Sequence, residues 1–172
     1  MLETQDLILD KGKIEDWHDM YINLWSHDES AEYMLWEPTH SEEDAKARMQ
    51  RTIAFEEKFD NAFIVYEKSG HRAIGFAGIR EISPGVYEET GIAIGPAFVR
   101  RGYGKQILRR LISYAFDELG GNRFIYHCRS NNEASRALQH SCGFHYISSE
   151  ELKDPRNGKT YLLEKYELFK KE

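Results

Sequence analysis

A mixed α+β fold, built on a mostly antiparallel sheet flanked by helices, is predicted by the order of the hydrophobic patterns. Helical stripes come first, then a meander of short β-rich runs, then strand, helix, strand, helix and two closing strands. No composition shift, internal repeat or low-complexity segment divides residues 1–172, so a single domain is expected.

The elements follow in chain order. After a short apolar run at Leu7–Leu9, residues 13–25 space Trp17, Met20, Tyr21, Leu24 and Trp25 three and four apart, the stripe of an amphipathic helix. Ser41-Glu42-Glu43-Asp44 is a capping-box variant that opens a second helix, with Ala45, Met49 and Ile53 on one face. NAFIVYE and RAIGFAGI, separated by the turn KSGH, read as a hairpin, and Ser83-Pro84-Gly85 turns the chain into VYEETGIAI. A long helix is predicted from about Gly104 to Leu119, with Ile107, Leu108, Leu111, Ile112, Ala115 and Leu119 inward and Gly120-Gly121 as its stop. RFIYHCR then reads as a strand, NNEASRALQHS as an Asn-capped helix, and FHYIS and TYLLEKYELF as strands joined through an Asn157-Gly158 hairpin turn.

Composition limits what such a fold can do. Hydrophobic residues at 41% and charged residues at 30% fit a globular chain with one core. No apolar run approaches the ~20 residues of a membrane helix, and MLETQDLILD has neither a basic n-region nor a long apolar h-region, so a cytoplasmic location and no membrane partner are expected. Cys128 and Cys142 read as free thiols. A net charge of −6 repels nucleic acid, so an anion site has to be local.

Such a local site is announced by VRRGYGKQILR, residues 99–109, where Gly102 and Gly104 sit among Arg100, Arg101 and Lys105 as a helix begins. The first N–H groups of a helix have no internal partner and carry the positive end of its dipole, so they bind anions. A Walker loop would need Ser or Thr after Gly-Lys, but Gln106 follows Lys105. A Rossmann fingerprint would need a further small residue where Ile107 stands. What remains is a pyrophosphate cradle without a metal ligand or a ribose-reading acid.

With those residues in view, the chain resembles the GNAT (Gcn5-related) N-acetyltransferases, and among them the ribosomal-protein-alanine acetyltransferase branch. Gly102-Tyr103-Gly104 matches the glycines of the family's Gln/Arg-x-x-Gly-x-Gly/Ala loop, with Val99 departing at its first position. Asn132-x-x-Ser135-x-x-Leu138, followed by Gly143-Phe144, matches a second motif, and Glu89-Thr90-Gly91-Ile92 is similar to a third. TQDLILD and EYMLWEP resemble the branch's N-terminal part. The resemblance implies a six- or seven-stranded sheet whose fourth and fifth strands splay apart to take the pantetheine arm of acetyl-CoA as co-substrate. It implies contacts to that arm from Ile92, Ala93 and Ile94, to the pyrophosphate from Arg100, Arg101, Gly102, Tyr103, Gly104 and Lys105, and to the thiol end from Asn132 and Ser135.

Acetyl transfer to a primary amine, on a peptide or protein N-terminus or a small molecule, needs a base and an acid. The resemblance implies Glu89 as base and Ser135 as acid, since Gln139 stands where many members of the family carry a tyrosine. Glu88 and Glu89 also suit ordinary alternating strand positions, and Ser135 could bond the preceding helical turn. Tyr33 and Trp36 are expected on the acceptor side, among Asp28, Glu29, Glu32, Glu37 and His40, a grouping that suits a cationic acceptor as well as a solvated loop. Arg109 and Arg110 read as the solvated face of the long helix. His127, Cys128, His140, Cys142 and His145 lack zinc-ligand spacing, so no metal is expected. A monomer or homodimer fits, and a non-catalytic acyl-CoA-binding or sensing module, or another nucleotide-binding domain, stands as the alternative.

Overall fold

A computed structural model describes residues 1–171. One sheet of eight strands runs in the order β1 (Leu2–Glu3), β2 (Leu7–Asp10), β3 (Ala62–Glu67), β4 (Arg72–Ser83), β5 (Val86–Ile94), β6 (Arg123–Arg129), β8 (Thr160–Phe169), β7 (His145–Lys153). Every neighbouring pair is antiparallel except β5 with β6. The six or seven strands anticipated become eight because Leu2–Glu3 forms a two-residue strand against β2, too short to leave an alternating pattern. The pair expected as fourth and fifth is therefore β5 and β6.

Helices cover both faces. The first is α1 (Trp17–Met20), continuous with a tight turn at Ile14–Asp16 and a wide, π-type turn at Tyr21–Trp25, so the whole amphipathic stripe is helical. The short α2 (Asp28–Ala31) follows, then α3 (Glu42–Glu56), whose Ser41 cap accepts the Asp44 N–H as the sequence predicts. On the other face α4 (Tyr103–Ser113) runs on through a wide turn at Tyr114–Glu118, and α5 (Glu133–Ser141) starts at Asn132, whose side chain accepts the Ser135 N–H. Because β5 and β6 are parallel, a crossover must join them, and α4 supplies it.

The alternation of β3 shows how two cores share one sheet. Phe63 and Val65 pack with Leu7, Leu9 and the α4 residues Ile107, Leu108 and Leu111, while Ile64 packs with Met20, Leu24, Trp25, Ala45 and Met49 beneath α1 and α3. With both faces covered, the inner strands are apolar nearly throughout.

What positions the site is an irregularity in β5. Opposite β4, Ile79 pairs with Glu89 and Gly78 with Gly91, which leaves Thr90 as an extra, unpaired residue. Gly91 has φ +125, a value that side-chain-bearing residues rarely adopt. The bulge shifts the strand's parity by one. Tyr87 before it and Ile92 and Ile94 after it consequently face the same core, while Ala93 packs into the other. On its far edge β5 pairs with β6 only at Val86, Tyr87 and Glu88. Beyond Glu88 the two strands diverge, and a groove of about 1500 Å³ opens between them.

Candidate active site

The groove is framed by backbone at one end and by hydroxyls and a carboxyl at the other. Past the bulge, Ile92–Ile94 keeps its ladder to β4 and presents its other edge, without a strand partner, to the groove. An extended chain laid there would find backbone donors and acceptors in strand spacing. Ile92 and Ile94 line the opening; Ala93, expected with them, does not, because the bulge turns its methyl into the opposite core.

At the end of β5 the chain passes a short turn at Pro96–Phe98 and enters α4 through Arg100 and Gly102, both left-handed at φ +63 and +79. Gly102 is the N-cap and offers no side chain to the helix. The N–H groups of Tyr103, Gly104 and Lys105 have no protein acceptor among the described residues, and the first to find one is that of Gln106, on the Gly102 carbonyl at 3.1 Å. A Cβ at Gly102 would meet nothing within 4 Å, so the cradle is open there. At Gly104 it would stand 3.5 Å from Leu138 of α5, so this glycine serves the packing of the two helices.

The cations of the loop divide. Arg100 and Lys105 line the groove. Arg101, expected as a phosphate contact, turns away and bonds Glu67 at 3.1 Å and the Ala97 carbonyl at 3.0 Å. Glu67, only 2% exposed at the end of β3, also accepts from the Tyr103 hydroxyl at 2.9 Å and from Arg72 at 2.8 Å. Its burial raises its pKa, but the bonds from Arg72 and Tyr103 and the two arginine charges outweigh burial and bring the net shift down. An ionised buried carboxylate thus pins the loop to the sheet. Gln106, which broke the Walker pattern, does the same for the other side of the helix: it donates to Asp6 at 2.6 Å and accepts from Thr4 at 2.8 Å.

Where β5 and β6 part, Glu89 lies partly buried with its carboxyl on the N–H of Gly91 at 2.6 Å and of His127 at 3.4 Å. Burial is the main influence on it and the charge of Glu88 adds to it; together they overcome the two N–H bonds and lift its pKa to about 7. Its neighbour Glu88 is occupied otherwise, paired with Arg80 and 4.0 Å from His127. Across the groove the Ser135 hydroxyl stands 2.8 Å from that of Tyr126 on β6. Burial and the nearby Glu89 charge keep the Tyr126 phenol protonated. Tyr126 went unread in the sequence, because RFIYHCR announces a strand without saying that Tyr126 and Cys128 would face the opening.

The segment expected on the acceptor side is held by a buried ion cluster that no motif marks. Asp154, 2% exposed in the turn after β7, accepts from Arg129 at 2.9 Å and from two guanidinium nitrogens of Arg156, Nη2 at 2.7 Å and Nε at 3.0 Å. The Arg156 bonds first, and those of Arg129 with them, hold its carboxyl well below the usual range despite burial. Arg156 then donates to the carbonyls of Ala31 and Trp36, and Arg129, stacked 3.9 Å over the Tyr161 ring, reaches that of Met34. Segment 31–36 is thereby strapped across the groove. Tyr33 lines the groove, and Trp36 lines both it and a second cavity beside it. Of the acids expected around them only Glu37 borders that cavity; Asp28, Glu29 and Glu32 lie outside both spaces, since α2 carries the first two outward. Arg109 is exposed, and Arg110 pairs with Glu118 at 2.7 Å, consistent with a solvated helix face.

Comparison with known proteins settles the family. Residues 6–145 match the acetyltransferase (GNAT) domain. The chain belongs to the GNAT acetyltransferase family. Among curated relatives, the N-alpha-acetyltransferase RimI of Mycobacterium tuberculosis is 35% identical over 83 residues, 46% of this chain and 50% of RimI. The uncharacterized protein ML0378 of Mycobacterium leprae is 30% identical over 110 residues, 61% of this chain and 30% of that protein. The chain thus spans half or less of the length of these two. A GNAT-family acetyltransferase structure from Bacillus anthracis superposes with a TM-score of 0.82 at 18% identity, over 98% of this chain and 97% of the other, which shows a shared fold. Within the GNAT frame the bulge at Thr90, the divergence of β5 from β6 and the free amides of α4 are the features that bear on function.

Proposed function

We propose that this protein transfers the acetyl group of acetyl-CoA directly to a primary amine, on a peptide or protein N-terminus or a small molecule. The observation that carries the reading is the position of Glu89, a carboxyl poised near neutral pH where the groove meets the acceptor side. Acetyl-CoA supplies the activated thioester. Its pantetheine arm suits the open edge at Ile92–Ile94, and its pyrophosphate suits the free amides of Tyr103–Lys105 with Arg100 and Lys105 nearby.

In the reaction a nitrogen–carbon bond forms and the carbon–sulfur bond breaks. Glu89, directly or through water, takes the proton that the amine must lose. The Ser135 hydroxyl supplies one to the departing sulfur and can be replenished from Tyr126, 2.8 Å away. Gln139 takes no part: it is buried in α5 with its side-chain oxygen unpartnered among the described residues. Asn132 positions Ser135 by accepting its N–H at 3.1 Å.

Thiol release from acetyl-CoA in the presence of a panel of amines tests the reading. Turnover should rise with pH through about 7, as Glu89 ionises, and Glu89→Gln should lower kcat roughly 10²-fold or more with acetyl-CoA affinity little changed. Tight acetyl-CoA binding with no turnover on any amine would identify a sensing module instead. Undiminished turnover by Glu89→Gln would remove Glu89 from the mechanism.

A further inference from the structure

The second cavity, about 630 Å³, lies between α3, the segment 36–40 and the sheet. Trp36, Phe55, Phe76 and Thr90 line both it and the groove, so the two spaces meet at the residue beside Glu89. From Glu89 the space open to an acceptor continues toward α3.

Two cations from α3 wait there. Arg48 and Arg51 stand one helical turn apart and both line the cavity. The Arg48 guanidinium lies over the rings of Trp25 and Trp36, at 4.7 and 4.3 Å from their centroids. One of its terminal nitrogens donates to the Thr39 hydroxyl at 3.0 Å and to the Glu37 carbonyl at 3.3 Å. Among the described residues neither arginine has a carboxylate within ion-pair distance. Burial, and then the like charge of Arg51, lower the pKa of Arg48 to about 10, which marks a guanidinium lacking compensation.

The acids of the same cavity do not supply it. Asp44 accepts the Ser41 hydroxyl at 2.7 Å, and Glu56 accepts the Gly12 N–H at 2.6 Å. Glu37 is exposed and offers Arg48 its carbonyl. His40 is exposed at the rim. Among the described residues the buried indole N–H of Trp36 has no partner, a further donor left open beside Arg48.

The geometry points to Arg48 and Arg51 as the receptor for an anionic group of the acceptor, so that the substrate is a primary amine that also carries a carboxylate or a phosphate. The inference rests on the transferase reading above, and it replaces the cationic acceptor that the acid-rich sequence around Tyr33 suggests. A stacked guanidinium is held in one orientation before the ligand arrives, and its planar fork matches carboxylate or phosphate oxygens two at a time. Arg51, exposed at the rim, adds charge and draws the anion in.

Matched acceptors test it: phosphoethanolamine against ethanolamine, an amidated Ser-Asp-Ala peptide against Ser-Asn-Ala, and spermidine as a cationic arm, each at low and high salt. In the parent protein the anionic member of at least one pair should exceed its neutral counterpart about tenfold or more in kcat/KM, with the advantage shrinking as salt rises. The pair that shows it separates a phosphate from a carboxylate source. In Arg51→Gln the ratio should fall toward one, and in Arg48→Lys, which keeps charge but loses the fork, it should fall part of the way. A preference for spermidine or the neutral members, or a ratio untouched by either substitution, overturns the inference while leaving the transferase reading intact. Absence of turnover with every amine, with acetyl-CoA still bound by calorimetry, overturns both.

Discussion

The two halves of the cleft are built from different materials. The half beside α4 is made of backbone: an unpaired strand edge at Ile92–Ile94, three free amides and a left-handed glycine. The half beside α3 is made of side chains brought together from distant segments, as when Arg156 bonds the carbonyl of Ala31, 125 residues away. A backbone site needs few residue types, but it favours glycine where φ is positive or a ligand must approach, as at Gly102, and so writes a motif even though Arg100 beside it is left-handed without one. A side-chain site assembled over long range writes none. The contrast also assigns tasks: the first half suits a constant ligand and the second a variable one.

Substitutions can break that division or sharpen it. The largest effect on binding is expected from Gly102→Val, which puts a branched side chain into the open cradle and strains a residue at φ +79. Acetyl-CoA affinity by calorimetry should fall about tenfold or more, with melting measured alongside to separate strain from lost contacts. Parent-like affinity in a folded variant would put the phosphate site elsewhere. Gly104→Val should act more weakly on affinity, through the Leu138 contact, and chiefly lower the melting temperature.

The strap over the acceptor side gives the complementary case. Asp154→Asn removes the charge that holds Arg129 and Arg156, so acceptor KM should rise several-fold while acetyl-CoA affinity stays near the parent value. An equal change in both would show the two halves to be coupled. The carboxyl's lowered pKa carries a sign of its own. Asp154 contributes stability above the ordinary aspartate pKa, and that contribution is lost as pH falls through its folded value. The smallest expected effect is that of Tyr126→Phe. It leaves the Ser135 hydroxyl in place and removes only its partner at 2.8 Å, so kcat should fall a few-fold and less than in Ser135→Ala.

The same contrast explains how much of the molecule is legible in its sequence. The helix stripes, the Ser41 and Asn132 caps and the turn at Asn157-Gly158 are local, and each stands where its pattern puts it. The left-handed Gly102 at the start of α4 is legible for the same reason. Glu67 is not, because its partners Tyr103 and Arg101 lie 36 and 34 residues away and a buried carboxylate leaves no pattern in strand β3. The resemblance implies Arg101 as a phosphate contact, but Glu67 takes it instead. In the sequence the acids before α3 suit a cationic acceptor or a solvated loop; Asp28 and Glu29 are exposed on α2 and outside both spaces, a matter of helix phase that an irregular segment does not disclose.

The bulge at Thr90 has a thermodynamic consequence. Interrupting a sheet in its middle leaves the free protein short of the ladder that β5 and β6 would otherwise complete, and whatever occupies that edge restores part of it. A ligand that binds only the folded chain adds RT ln(1 + [L]/Kd) to its stability, about 2.7 kcal/mol when its concentration is a hundred times Kd. On the proposed function that ligand is acetyl-CoA, and the resistance of the fold to heat and proteolysis should then rise with the acetyl-CoA concentration around it.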